Sequence, residues 1–256
     1  MLCTLFSLLL TGTQATNAIT VDHVLALDRV GSGGRVPIST NAVTSMIVNG
    51  TFTPPKEGDK VTDPDGKEHT WETVKAGEDG SFSGSQFRGG FAYASVPSTE
   101  TKVMMMEASG DSYAYVNGEP RGGDPYSFGY VRTPVLLKRG DNSFLFSVGR
   151  GRLSFRLVPP DSPLMIEKRD ATLPDLIVGE EGIQLGAAIV TNASDQVWSG
   201  VSLSVTLEGS KSVIVPIGDM PPLSSQKVAF SFLSPKFNEP GTKKLFLRLN
   251  QQNERT

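Results

Sequence analysis

Cysteine is nearly absent from this chain. The 256 residues hold one, Cys3, and it stands ahead of the first apolar run. Beyond the N-terminal segment the fold must therefore be held by its core, without disulfides. Histidine is almost as scarce, with His23 and His69 only. A serine hydrolase needs a His base and a nucleophile on a Gly-x-Ser-x-Gly elbow. Neither Gly80-Ser81-Phe82-Ser83-Gly84 nor Gly31-Ser32-Gly33-Gly34 has that pattern. An excess of one charge is also missing: 24 basic against 27 acidic residues leave a net charge of −3. Nucleic acid wants a basic face to neutralise phosphates, and none is visible. After the N-terminus no apolar run approaches the ~20 residues that span a bilayer. The expectation is a product with no membrane association once the leader is removed.

The N-terminus itself reads as that leader. Leu5 to Leu10 is apolar but for Ser7, and small or polar residues follow up to Ala18. This is the layout of a secretory signal over residues 1–18. It departs from the usual form in having no Lys or Arg before the apolar run, and a buried N-terminal strand is the alternative. Export places the mature chain outside the cell or in the periplasm, and an exported chain without disulfides suits a bacterium best.

What is plentiful is turn chemistry. There are 27 glycines and 17 prolines, about 17% of the chain against the usual ~12%. Asn49-Gly50, Asp65-Gly66, Asp79-Gly80, Asn117-Gly118 and Glu208-Gly209 all tolerate positive φ. From about Ala42 onward the apolar residues recur with period two. Examples are Phe144, Phe146 and Val148, Leu153, Phe155 and Leu157, and Val201 to Leu207. That is the strand signature, and no stretch carries a helical stripe with caps. Ile19 to Leu27 reads as a strand or a short helical turn. Many short strands divided by close turns predict an all-β fold of sandwiches. Pro159, Pro160 and Pro163 cannot continue a central strand. The predicted domains are 19–160 and 170–256, joined by a linker over 161–169.

Ser112 to Phe146 carries a recognisable order. A strand ends in Val116-Asn117-Gly118, a Gly-rich aromatic loop follows, and a second strand leads to Lys138-Arg139-Gly140-Asp141-Asn142. This resembles the galactose-binding-like jelly roll that precedes the catalytic barrel in family 2 glycoside hydrolases. Trp71 fits an early Trp of such domains. The second domain looks like the Ig-like or fibronectin-like modules found beside them. The resemblance implies a jelly-roll β-sandwich followed by a smaller Ig-like sandwich, in the accessory region of a secreted hydrolase. It also implies a structural Ca²⁺ as a possibility to test.

Candidate residues follow from chemistry. Sugars are held by aromatic faces with a few polar groups beside them. The Gly-rich loop offers Arg121, Asp124, Tyr126, Phe128 and Tyr130. Ca²⁺ takes hard oxygens around a bend, and Asp59, Asp63, Asp65 and Glu68 flank Gly66. No other cofactor is implied. No catalytic residues are assigned; nearly all the acidic residues read as turn residues, among them Glu78, Asp79, Asp141, Glu180 and Glu181, and His69 reads as a surface histidine. Tyr113 and Tyr115 read as core, as does Met104-Met105-Met106, with an adaptable interface as the alternative. The expected function is noncatalytic: weak carbohydrate binding, or docking of a catalytic domain. The alternatives are an N-terminal fragment of a secreted glycoside hydrolase or α/β-hydrolase, and a cell-surface adhesion or scaffold module.

Overall fold

The computed structural model describes residues 18–31 and 41–251. Cys3 and the leader up to Asn17 lie outside the described residues, as do Ser32, Gly33 and Gly34. The alternating runs form strands: β1 (Ile19–Thr20), β2 (His23–Leu27), β3 (Lys60–Thr62), β4 (Glu68–Thr70), β5 (Glu72–Lys75), β6 (Ser81–Ser83), β7 (Gly90–Ser98), β8 (Lys102–Ser109), β9 (Asp111–Val116) and β10 (Glu119–Gly122). β11 (Arg132–Leu137), β12 (Gly140–Val148) and β13 (Arg152–Val158) complete the first unit. One sheet runs β1-β13-β8-β11, with β6 also on β13; the other runs β10-β9-β12-β7-β2-β5.

The core lies between these sheets. Phe144, Phe146 and Val148 face Leu153, Phe155 and Leu157 across it, with Met104 and Met106 alongside. The Phe155 ring sits 5.0 Å from that of Phe144 and 4.9 Å from that of Phe146. Burying each such side chain stabilises the fold by about 1.5–3 kcal/mol. The Val116 to Asn142 motif is explained by one buried contact. Asn117, at φ +51°, donates from Nδ2 to Asn142 Oδ1 at 2.9 Å and accepts the Ser143 amide at 2.9 Å. Asn142, fully buried, also accepts the Lys138 amide at 2.8 Å. The two turns thus lock each other, and a buried amide is left satisfied.

The second unit holds β14 (Leu164–Thr172), β15 (Gly182–Asn192), β16 (Trp198–Leu207), β17 (Val213–Met220), β18 (Ser224–Ser234) and β19 (Leu245–Gln251). Two three-stranded sheets, β14-β15-β18 and β17-β16-β19, enclose Val190, Leu203, Val205, Phe230 and Phe232. Asn192 is its buried anchor, donating to the Gln196, Met220 and Pro221 carbonyls. Trp198 opens β16 and donates its indole N–H to Ser194 Oγ at 3.0 Å.

Two expectations are corrected here, and an open alternative is resolved. Residues 161–169 are not a linker: from Leu164 onward they belong to β14, whose Leu164–Glu167 segment pairs with β15. The prolines confine the spacer to 159–163, and the apolar Leu164, Met165 and Ile166 then pay for a strand. Period two does not begin at Ala42, because Ala42–Val48 is a helix, α1. Asn41 caps it, its Oδ1 accepting the Thr44 amide at 3.0 Å. Val43, Met46 and Ile47 then share one side over Trp71, Phe91 and Tyr93. Ile19 to Leu27 resolves into β1 and β2 rather than a helical turn.

β8 serves both units, one on each face. Met104 and Met106 point into the first core, while Met105 packs on Met165 and Ala193 of the second unit. This is why three consecutive methionines are all buried. Beside them Arg132 reaches Glu167 of β14 at 3.0 Å and Glu107 of β8 at 2.9 Å. The contact to Glu107 is from Nε and is off line for a hydrogen bond. The three side chains are only 8%, 5% and 11% exposed.

Candidate functional site

The loop from Gly123 to Val131, between β10 and β11, is built on Asp124. This residue is 3% exposed. Its Oδ1 accepts the Phe128 amide at 3.1 Å, its Oδ2 accepts the Gly129 amide at 2.6 Å, and its carbonyl accepts the Gly110 and Ser127 amides. Ser127 at φ +57° and Gly129 at φ +73° reverse the chain twice. The residues that alternate with them therefore emerge together. Tyr126, Phe128 and Tyr130 stack in order, with centroids 5.7 and 5.6 Å apart and planes within 23° and 19°. They are 60%, 63% and 49% exposed. The Arg150 guanidinium lies 4.5 Å over the Tyr126 ring, a contact worth about 0.5–1 kcal/mol at the surface.

Asp124 is thus the anchor of the loop. Arg121 is not brought into the stack by any hydrogen bond. It lies on β10, held by Glu119 at 2.7 Å and by the Pro120 carbonyl. Of the five loop candidates, the structure joins Tyr126, Phe128 and Tyr130 to one another and seats them on Asp124. Arg150 was not read from the sequence, since only folding carries the β12–β13 turn to the ring.

Beneath the loop lies Asp111, fully buried at the start of β9. Neither of its carboxylate oxygens has a well-formed hydrogen bond. Burial pushes its pKa to about 6; the amides of Asp111 and Asp124 pull part of this back, and the Asp124 carboxylate adds to it. The Gly123 backbone passes so close that a Cβ there would meet Asp111 Oδ2 at 2.7 Å. Nothing in the β9 pattern signals a buried acid.

The other candidates are accounted for individually. Asp63 caps its own turn: Oδ1 accepts the Asp65 and Lys67 amides, both at 2.9 Å, and Oδ2 lies 3.1 Å from His69 Nε2. The His69 contact and the Lys67 amide hold its carboxyl below the usual range. Asp59 accepts the Lys56 amide and Glu68 pairs with Lys60. Among the described residues no three His, Cys, Asp or Glu side chains converge as a metal site would need. His69 is not at the surface. It is 7% exposed, because β4 turns it inward opposite Val61. Ser81 is held through its hydroxyl and amide by Asp79, which those bonds keep below its ordinary pKa. Tyr113 and Tyr115 lie on the face of β9 opposite Ala114 and Val116, outside the main core and half-buried; Tyr115 packs in the cluster under α1.

No family model matches this sequence, and no curated protein matches it. Similarity is found among solved structures. A putative beta-galactosidase from Bacteroides fragilis is 14% identical, with 93% of this chain and 39% of that chain covered at a TM-score of 0.40. A calcium binding mutant of Bacteroides uniformis beta-glucuronidase 2 is 12% identical, over 94% and 31%, at 0.39. A GH2 beta-galacturonidase from Eisenbergiella tayi is 13% identical, over 91% and 41%, at 0.37. The chain thus spans about a third to two fifths of the length of these proteins.

Proposed function

We propose that this chain is a noncatalytic binding region of an exported hydrolase, and that it holds carbohydrate weakly at the 124–130 loop. The observation that carries this reading is the exposed stack of Tyr126, Phe128 and Tyr130 on a fixed anchor. Sugar rings bind aromatic side chains that are rigid before the ligand arrives. The stack also limits the mode. Inner faces are taken by neighbouring rings and Arg150 covers Tyr126, so the ring edges and the outer face of Tyr130 are what a saccharide would meet. Retention on insoluble polysaccharides tests this. Wild-type protein should be held, and Tyr130→Ala should lower retention several-fold without changing the melting temperature. Equal retention of both would remove the loop from the reading.

A second reading rests on a different surface. Ile183 and Leu233 are register partners across β15 and β18, and with Leu185 they are 74%, 67% and 71% exposed. A contiguous apolar face of this kind fits docking of a catalytic domain. Co-purification of this chain with such a domain, lost on Leu185→Lys, would support it. Export through residues 1–18 belongs to the same proposal, and the N-terminal sequence of the mature protein tests it.

A further inference from the structure

We propose that the outer face of the β13–β8 sheet carries a second site, a groove for a carboxylate-bearing sugar, with Arg156 and Arg169 as the groups that hold the carboxylate. The saccharide part of this assignment rests on the carbohydrate reading above; the anionic part rests on the arginines alone.

The groove encloses about 390 Å³. Its floor is set by strand register. Ser154 stands opposite Ser109, and Arg156 opposite Glu107, so all four side chains leave the same face of the sheet. The two serine hydroxyls are 2.7 Å apart, and one of them can turn to a ligand hydroxyl. One wall is the Gly129 to Val131 end of the aromatic loop, and Arg169 of β14 closes it, with Nη1 3.5 Å from the Gly129 carbonyl.

Charge gives the site its sign. Glu107 is contacted by three arginines: Arg132 at 2.9 Å, Arg169 at 2.9 Å and Arg156 at 2.6 Å. Burial pushes the Glu107 carboxyl up, but the three guanidinium groups outweigh it and hold it below its ordinary value. Arg132 is shared with Glu167. Three cations therefore face two carboxylates, Glu167 buried and Glu107 largely covered. The remaining acid near Arg132, Asp161, is 3.9 Å away and 76% exposed, where water screens it. Asp79 on the groove rim is engaged by Arg152.

Joining the two units explains Arg132 and Arg169, which cross between them. It does not explain Arg156. That residue belongs to β13 of the first unit and pairs with a carboxylate of the same unit that already has two partners. Arg156 and Arg169 line the groove and remain 53% and 43% exposed, and a guanidinium has more N–H donors than these contacts use. Guanidinium groups held in place by a largely covered carboxylate are pre-organised for a planar carboxylate ligand.

The test is a titration of the full chain by NMR with D-glucuronate and with D-glucose, at low and at physiological ionic strength. Glucuronate should bind about tenfold more tightly at low salt, the scale of one charge-assisted contact. The preference should shrink as salt is raised. Arg156→Gln should bring the two sugars within about twofold of each other while the melting temperature stays unchanged. Equal binding of the two sugars by the wild type overturns the proposal, as does a folded Arg156→Gln protein that keeps the preference. Should Arg156→Gln fail to fold, the wild type decides by itself, because a preference indifferent to salt is not one held by arginine. Phe128→Ala separates this site from the loop. It should lower polysaccharide retention and leave glucuronate binding within about twofold, and loss of both overturns a separate groove.

Discussion

The two units solve the same problem with unequal means. The first encloses a core of large aromatic and aliphatic side chains between sheets of five and six strands, with a second cluster under α1. The second has three strands a side and a smaller core. Their surfaces differ in the opposite sense. Of the large apolar residues exposed among the described residues, those of the first unit are Val48 and a single loop group, Tyr126, Phe128, Tyr130 and Val131. In the second they are spread widely, from Leu173, Ile177 and Val178 to Ile183, Leu185, Ile214, Leu233 and Phe246. A thin sandwich has too few interior positions for its apolar residues, and the surplus faces outward. The lesson is that the first unit can concentrate its exposed aromatics at one site, while the second presents broad apolar faces suited to contact.

The comparison can be broken at its strongest point. Phe144→Ala should cost about 3–5 kcal/mol, since Phe144 is fully buried against Phe155. Calorimetry should show the first unit melting much earlier and the second little changed. A parallel shift of both would mean that the units unfold as one. Arg132→Met addresses that coupling directly. It leaves Glu167 buried without its partner, a loss of about 3 kcal/mol, and should lower the melting temperature of whichever unit unfolds first, since the pair joins the two.

Asp111 gives the loop a pH dependence. Its folded pKa, about 6, lies above the ordinary aspartate value of 3.8, so the folded state holds its proton more tightly than the unfolded one. The stabilising contribution is complete below the unfolded pKa and is lost as pH rises through 6. The difference corresponds to roughly 3 kcal/mol. Wild-type stability should therefore fall between pH 4 and pH 7 by up to that amount from this group, and Asp111→Asn should flatten the slope in urea titrations. An unchanged slope would place the titration elsewhere. The smallest effect belongs to the second unit. Leu185→Lys should change stability by less than about 0.5 kcal/mol, yet it should reduce any self-association seen by sedimentation, because its effect is on the apolar face alone.

Much of this was legible in the residues. The alternation at Phe144 to Val148 and Val201 to Leu207 became strands, because a two-residue period can bury one face only in a sheet. The turn pairs at Asn117-Gly118 and Asp65-Gly66 became turns. Helix α1 was missed because its signal is short, an Asn cap and three apolar residues amid small ones. His69 was misread because a turn-flanked residue gives no sign of which way its strand faces. The aromatic loop could be named as a candidate, but its stacking could not, since that depends on two positive-φ residues and on Arg150 arriving from another turn.

What the sequence determined by itself was the period, the turns and the supply of aromatics, all of which are local properties carried by neighbouring residues. Only the tertiary structure decided that Asn117 and Asn142 meet, that Met105 faces the other unit while Met104 and Met106 do not, and that three arginines gather on Glu107. Those are contacts between strands distant in the chain. Their partners are chosen by register and by which face each sheet buries, and no local pattern encodes that choice.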